Sequence, residues 1–314
     1  MKLVYLTLFW GLSLFCLPAQ AQNTRYGGDP FLLGAGARSL GLGSAFVAIS
    51  DDATAVFWNP AGLVHITGRE IQIQHAEQFG GTINHDVFTL ASSSRWGGFG
   101  LGLLRLGVDH IRLTELEDPT RPLGPDNRPV ISQVVGTTDY NLYLSYGRRL
   151  KQGLSLGASL KLIWRNLSAG SGSGFGLDLG VHYQPRPAWT LGMVVRNLTR
   201  TKITFDSGAT DRIPPSVLLG VSATKPLPSF KSKLTFSFST HLGEEKSGLE
   251  DAEGLHGGVE YLYQNRLAFR LGAEGDHLTA GTGLRLYNRF ALDLAFLENG
   301  HLDNTYRISA SLYF

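Results

Sequence analysis

From residue 69 to the end, apolar positions alternate with polar or small ones in short segments separated by turns. In the last segment Tyr306, Ile308, Ala310, Leu312 and Phe314 fall on one side, and Arg307, Ser309 and Ser311 on the other. A period of two is that of a β-strand, whose successive side chains point to opposite faces. The same alternation runs through 140–146, 154–164, 175–183, 189–195 and 217–223. It continues through 234–240, 259–263, 267–273, 280–286 and 290–296, and more weakly through 69–77, 86–95 and 98–106. These amount to about fourteen strands at roughly 18 residues each, enough for a span of about ten residues plus a connection. Repeated apolar-out, polar-in segments predict an all-β fold, a transmembrane antiparallel up-and-down β-barrel. Closure also removes the exposed edge that an aromatic-tipped final strand would leave, by pairing it with the strand that begins near Arg69.

Connections at 151–153, 264–265 and 288–289 read as tight, and those at 107–136, 199–212 and 243–254 as long. Short turns belong to the periplasmic side of such barrels and long loops to the outside, which puts both termini in the periplasm. Trp96, Trp164, Tyr183, Trp189 and Tyr287 lie near strand ends, where interfacial aromatic girdles are expected.

The first residues set the compartment. Met1-Lys2 precedes an apolar run over 3–17, and Ala19-Gln20-Ala21 fits an A-x-A cleavage site. Residues 1–21 therefore read as a secretory signal peptide. Cys16, the only cysteine, lies in it after Phe15, so the exported chain has no thiol chemistry. No later stretch supplies the ~18 apolar residues of a membrane helix. Hydrophobic residues make up 43%, charged ones 17%, and there are 39 glycines, which suits barrel strands. A formal charge of +2 argues against a nucleic-acid partner.

Residues 22–68 do not alternate. They contain Gly34-Ala35-Gly36-Ala37-Arg38-Ser39-Leu40-Gly41-Leu42-Gly43-Ser44-Ala45-Phe46, then Asp51-Asp52-Ala53, then Asn59-Pro60-Ala61-Gly62-Leu63. A compact Gly/Ala-rich segment ahead of a barrel can pack in its lumen, so 22–68 is expected to be a plug and 69–314 the barrel. Residues 53–58 read as a short helix capped by Asp51 or Asp52 and ended before Pro60. The run resembles the N-terminal hatch of FadL-like outer-membrane barrels, and most closely the PorV/PorQ family. A C-terminal strand ending in Phe likewise resembles the closing signal of bacterial outer-membrane barrels. The resemblance implies an outer-membrane location, a hatch motif carried by Arg38, Asp51, Asp52, Asn59 and Pro60, and a role in type IX secretion. Secreted cargo proteins or secretion-system components, besides outer-membrane lipid, are the implied partners. The alternative it implies is a FadL-like transporter of long-chain fatty acids or other hydrophobic molecules.

Candidate chemistry is sparse. Gly41-Leu42-Gly43 lacks the third glycine and the preceding strand of a dinucleotide motif. Nine scattered histidines give no zinc motif, and no G-x-S-x-G elbow offers a nucleophile. No cofactor and no enzymatic activity are expected. By alternation Lys161, Asp178, His182, Glu260, Arg270, Glu274, Arg285, Asp293 and Arg307 face inward, as a hydrated lumen that anchors the plug would require. Loop 107–136 places Ile111, Leu113, Leu116, Leu123, Val130 and Ile131 among four prolines, which suits contact with a protein partner. Gly170 to Gly174 reads as a flexible connection. Glycines 97, 98, 100 and 102 suggest a bend in the third strand, where FadL-like barrels open laterally.

Overall fold

The computed structural model describes residues 33–168, 170–243, 254–300 and 303–314. The expected signal peptide with Cys16, the first residues of the plug and most of loop 243–254 lie outside them.

The barrel begins with β1 (Arg69–Gln78), β2 (Ile83–Ser94), β3 (Gly97–Leu116), β4 (Pro129–Lys151), β5 (Leu154–Leu167), β6 (Gly170–Arg186) and β7 (Trp189–Arg196). A small hairpin follows, β8 (Lys202–Phe205) and β9 (Thr210–Arg212). The wall resumes with β10 (Ser216–Leu227), β11 (Ser232–Gly243), β12 (Leu255–Tyr263) and β13 (Leu267–Glu274), then β14 (His277–Leu286), β15 (Phe290–Leu297) and β16 (Thr305–Tyr313). All sixteen share one sheet, with β5 paired to β6 and β1 to β16, so fourteen strands close a ring. The β8–β9 hairpin is an appendage on β6, carrying its ladder beyond the end of β7. The closing register runs from Glu70 opposite Tyr313 to Glu77 opposite Tyr306. Every ladder is antiparallel, as an up-and-down barrel demands.

The wall is apolar outside and polar inside. On β16 Thr305, Arg307, Ser309 and Ser311 are buried, while Tyr306 and Ile308 stand 60% and 43% exposed on the outer face. Phe88, Phe99, Leu144, Leu160, Leu179, Phe238, Phe269 and Leu294 are likewise exposed, on strands all around the ring. An apolar belt of that extent is untenable in water and suits a bilayer.

Two expectations about β3 fail. Its ladder with β2 is unbroken from Gly97 to Gly107, and its ladder with β4 from Gly98 to Val108. No bend or opening exists at Gly97–Gly102. The glycines are there for packing: a Cβ at Gly98 would meet the Leu63 carbonyl, and one at Gly100 the Val56 side chain. The long 107–136 connection is not a proline-stiffened loop either. β3 and β4 continue past the barrel as a two-stranded arm, with register shifts after Val108 and Leu113, and turn only at 117–128. Gly170–Gly174 is not a linker but the start of β6, paired with β5, and Phe205 and Lys202 cover Gly172 and Gly174.

Candidate functional site

Residues 33–67 fold back into the ring. Two single-turn helices, α1 (Ala37–Leu40) and α2 (Ala55–Trp58), and a 3-10 helix (Pro60–His65) form this hatch. Its core is buried, including Leu42, Phe46, Val47, Val56, Trp58 and Leu63. Inward glycines let its backbone lie against the wall. A Cβ would strike Pro60 from Gly157, Asn59 from Gly180, Val47 from Gly192, Leu42 from Gly258 and the Gly43 backbone from Gly272. These glycines come from five different strands, so they hold the hatch on two arcs of the ring, β5–β7 and β12–β13. The alternation read them only as small polar-face positions.

The hatch motifs have definite jobs. Asn59 caps the 3-10 helix by accepting from the Ala61 N–H at 3.1 Å, and Pro60 sits at its first position, where a missing N–H costs nothing. The Asn59 amide donates to the Val47 and Val181 carbonyls at 3.0 Å each, tying two hatch segments to β6. Neither aspartate caps α2, whose N-cap is Thr54 without a side-chain bond. Asp52 instead accepts from the Thr54 N–H at 3.0 Å. Asp51 takes an ion pair from Arg38 at 2.6 Å. Burial raises the Asp51 carboxyl, but the Arg38 guanidinium outweighs it and holds the group below the usual carboxylate range.

Arg38 is the centre of a charge chain. Besides Asp51 and Asp52 it grips both oxygens of Glu260 on β12, at 3.0 and 3.1 Å. Glu260 accepts from Arg270 on β13 at 2.7 Å, and Arg270 pairs with Asp293 on β15 at 2.7 Å. Three of the inward groups foreseen in the sequence thus join the hatch motif in one network. The others are distributed. Lys161 pairs with Asp178 at 2.9 Å. His182 meets the Ala48 carbonyl at 2.8 Å and His65 at 3.0 Å. Glu274 accepts from Ser44 at 2.7 Å. Arg307 donates to the Leu33 and Gly36 carbonyls at 2.9 and 3.3 Å. Arg285 donates to the Tyr313 hydroxyl at 3.2 Å, its guanidinium over that ring. Gln74, Ser309 and Arg196 also hold hatch backbone, at Gly36, Ala37 and Phe57. Their inward phase was readable, but single Gln and Ser side chains carry no motif.

The interior has two halves. Toward the rim that carries Arg69 and Phe314, a cavity of about 290 Å³ is lined by charge, among it Arg38, Asp51, Asp52, Glu70, Glu260 and Asp293. Toward the far rim, the inward residues Val87, Leu104, Leu106, Tyr143 and Ile163 make an apolar surface on β2–β5. Val56 and Phe57 of the hatch close it below, with the Phe57 and Tyr143 rings edge-on at 4.5 Å. Ile203 and Phe205 of β8, with Ile213 just past β9, close it from above. Along β1–β2, Glu70 Oε1, Gln72 Oε1, Gln74 Nε2, His85 Nε2 and Thr89 Oγ1 are buried without a hydrogen-bond partner among the described residues. Among the described residues no His, Cys, Asp or Glu cluster has metal-holding geometry.

The six residues foreseen as a partner loop lie on the arm: Ile111, Leu113 and Leu116 on β3, Val130 and Ile131 on β4, and Leu123 in the turn. Leu123 is 70% exposed and Ile131 53%.

Residues 18–180 match the model of an uncharacterised protein family, UPF0164. The chain belongs to that family. No curated protein matches its sequence. Solved structures do resemble this UPF0164 barrel. The CymD monoaromatic hydrocarbon channel aligns over 92% of this chain and 99% of its own, at 14% identity and a TM-score of 0.59. The toluene transporter TodX of Pseudomonas putida aligns over 88% and 96%, at 14% identity and a TM-score of 0.58. A Pseudomonas aeruginosa FadL homologue aligns over 87% and 97%, at 13% identity and a TM-score of 0.51. At such identities the likeness establishes a common fold.

Proposed function

We propose that this protein sits in the bacterial outer membrane and admits small hydrophobic molecules through its lumen. The observation that carries the reading is the apolar inner surface of β2–β5. Leu104, Leu106, Tyr143 and Ile163 pack the hatch, and the same apolar surface offers a hydrophobic solute a site where it sheds water. Two barrels of the same fold are named for monoaromatic hydrocarbons and for toluene, which supports that solute class.

The residues divide the work. Entry from the far rim requires the β8–β9 hairpin to lift, since its Ile203 and Phe205 occupy the top of the surface. The hatch blocks the way below. It is pinned to β12, β13 and β15 by the Arg38 chain and to β1 through Gln74 and Gly36, so passage requires these contacts to open. The test is uptake of labelled toluene by cells carrying the wild-type protein, none, or Leu106→Asn. A polar group on an apolar contact costs about 1–3 kcal/mol, so Leu106→Asn should slow uptake roughly ten-fold or more. Uptake unaffected by deletion of the protein would sink the reading.

The arm favours a second reading, a protein-binding barrel of the PorV type that handles secreted cargo. Leu123, Val130, Ile131 and Val134 are exposed on a ribbon that no other strand covers among the described residues. Cross-linking from residues of the arm in native membranes should capture a secreted protein or secretion component if this reading holds. Capture of lipid alone would remove it.

A further inference from the structure

The net charge of +2 conceals a separation along the barrel axis. Six connections lie at the rim that carries Arg69 and Phe314: those joining β2–β3, β4–β5, β6–β7, β10–β11, β12–β13 and β14–β15. None contains Asp or Glu, and every one contains Arg or Lys or is flanked by it at a strand end. Arg95, Arg186, Arg266 and Arg289 serve one connection each, all exposed. The β4–β5 turn is flanked by exposed Arg148, Arg149 and Lys151, and exposed Lys225 and Lys231 bracket the β10–β11 connection. At the far rim three of the described connections carry carboxylates, Glu117, Asp118 and Asp126 between β3 and β4, Asp276 between β13 and β14, and Glu298 and Asp303 between β15 and β16, with Arg121 and Arg128 among the first of them.

We propose that this basic collar binds the phosphate headgroups of anionic phospholipids in the membrane leaflet that surrounds it. The inference rests on the barrel spanning a membrane. Three observations select lipid as the occupant. The cations are spread over all six connections rather than gathered on one side, so they match a surface that encircles the barrel. They sit where the outward apolar belt ends, which is the depth of a headgroup. Exposed aromatics stand at the same level, with Trp96 beneath the Arg95 guanidinium at 4.7 Å, and Trp189 and Tyr287 beside Arg186 and Arg289. Long basic side chains can lay their stems along acyl chains and hold their charge among phosphates.

The test folds the protein into vesicles of phosphatidylcholine alone and of equimolar phosphatidylcholine and phosphatidylglycerol. Heat-shifted gel migration scores insertion, and the lipid that stays bound after gentle solubilisation is assayed. Wild type should retain phosphatidylglycerol over phosphatidylcholine by about fivefold at low salt, less at high salt. Arg186→Gln, Arg266→Gln and Arg289→Gln should each lower the ratio by a similar step, because no connection is special. A retained ratio equal to that of the vesicle would overturn the proposal, and a preference abolished by one connection alone would transfer the collar to a one-sided acidic protein. Failure to insert into either vesicle would overturn the membrane reading itself and the proposal with it.

Discussion

Asn59 makes three hydrogen bonds with one short, fully buried side chain. It closes the 3-10 helix at Ala61 and donates to two carbonyls, those of Val47 and Val181. Asn59→Ala removes three hydrogen bonds in a fully buried place and should cost about 3 kcal/mol, read as a lower temperature for the heat-shifted gel band. Arg38 is a different case. Arg38→Ala leaves Asp51 and Asp52 without their cation and Glu260 with Arg270 alone, whereas Arg38→Lys keeps the charge and loses the two-toothed grip. Protease cleavage within 33–67 should rise strongly in Arg38→Ala and by less in Arg38→Lys. The wall glycines make the complementary test. Gly180→Val puts a side chain where Asn59 lies, so it should expose the hatch to protease while the strand content of the barrel stays unchanged. Intact protection of the hatch in Gly180→Val would contradict the packing described for that wall.

Among the elements, the arm and the β8–β9 hairpin were the least legible. The sequence marked both as loops because prolines and polar residues interrupt the alternation at 107–136 and 199–212. Ladders tolerate such interruptions when they fall at bulges: His110 takes a left-handed φ of 60° at the first register shift, and the ladder resumes at Ile111. A two-stranded ribbon is marginal by itself, so the arm should add little to the stability of the barrel. Deleting 111–134 should leave heat-shifted migration at its wild-type temperature while removing any protein partner captured from native membranes. A large drop in that temperature would show the arm to be structural. By contrast, the regular strands were legible down to single faces, because a period of two leaves no freedom once one face must meet lipid.

The whole molecule is a polar-lined ring with a hatch, closed by the strand that carries Phe314. Strand number, closing partner and inward phase were all readable, since each follows from alternation and length. The division of the lumen was not. Val87, Leu104, Tyr143 and Ile163 are apolar residues on the polar phase of their strands, and a rule of apolar-out positions passes over them. The same is true of the glycine track, whose meaning depends on what lies opposite. The account stands or falls on whether that apolar interior receives a hydrophobic solute. An experimental structure of the protein in detergent with toluene tests this directly. Density for the ring among Leu104, Leu106, Tyr143 and Phe57, with the β8–β9 hairpin displaced, is the predicted result; a hairpin still seated on Ile163 and toluene found only on the outer wall would contradict it.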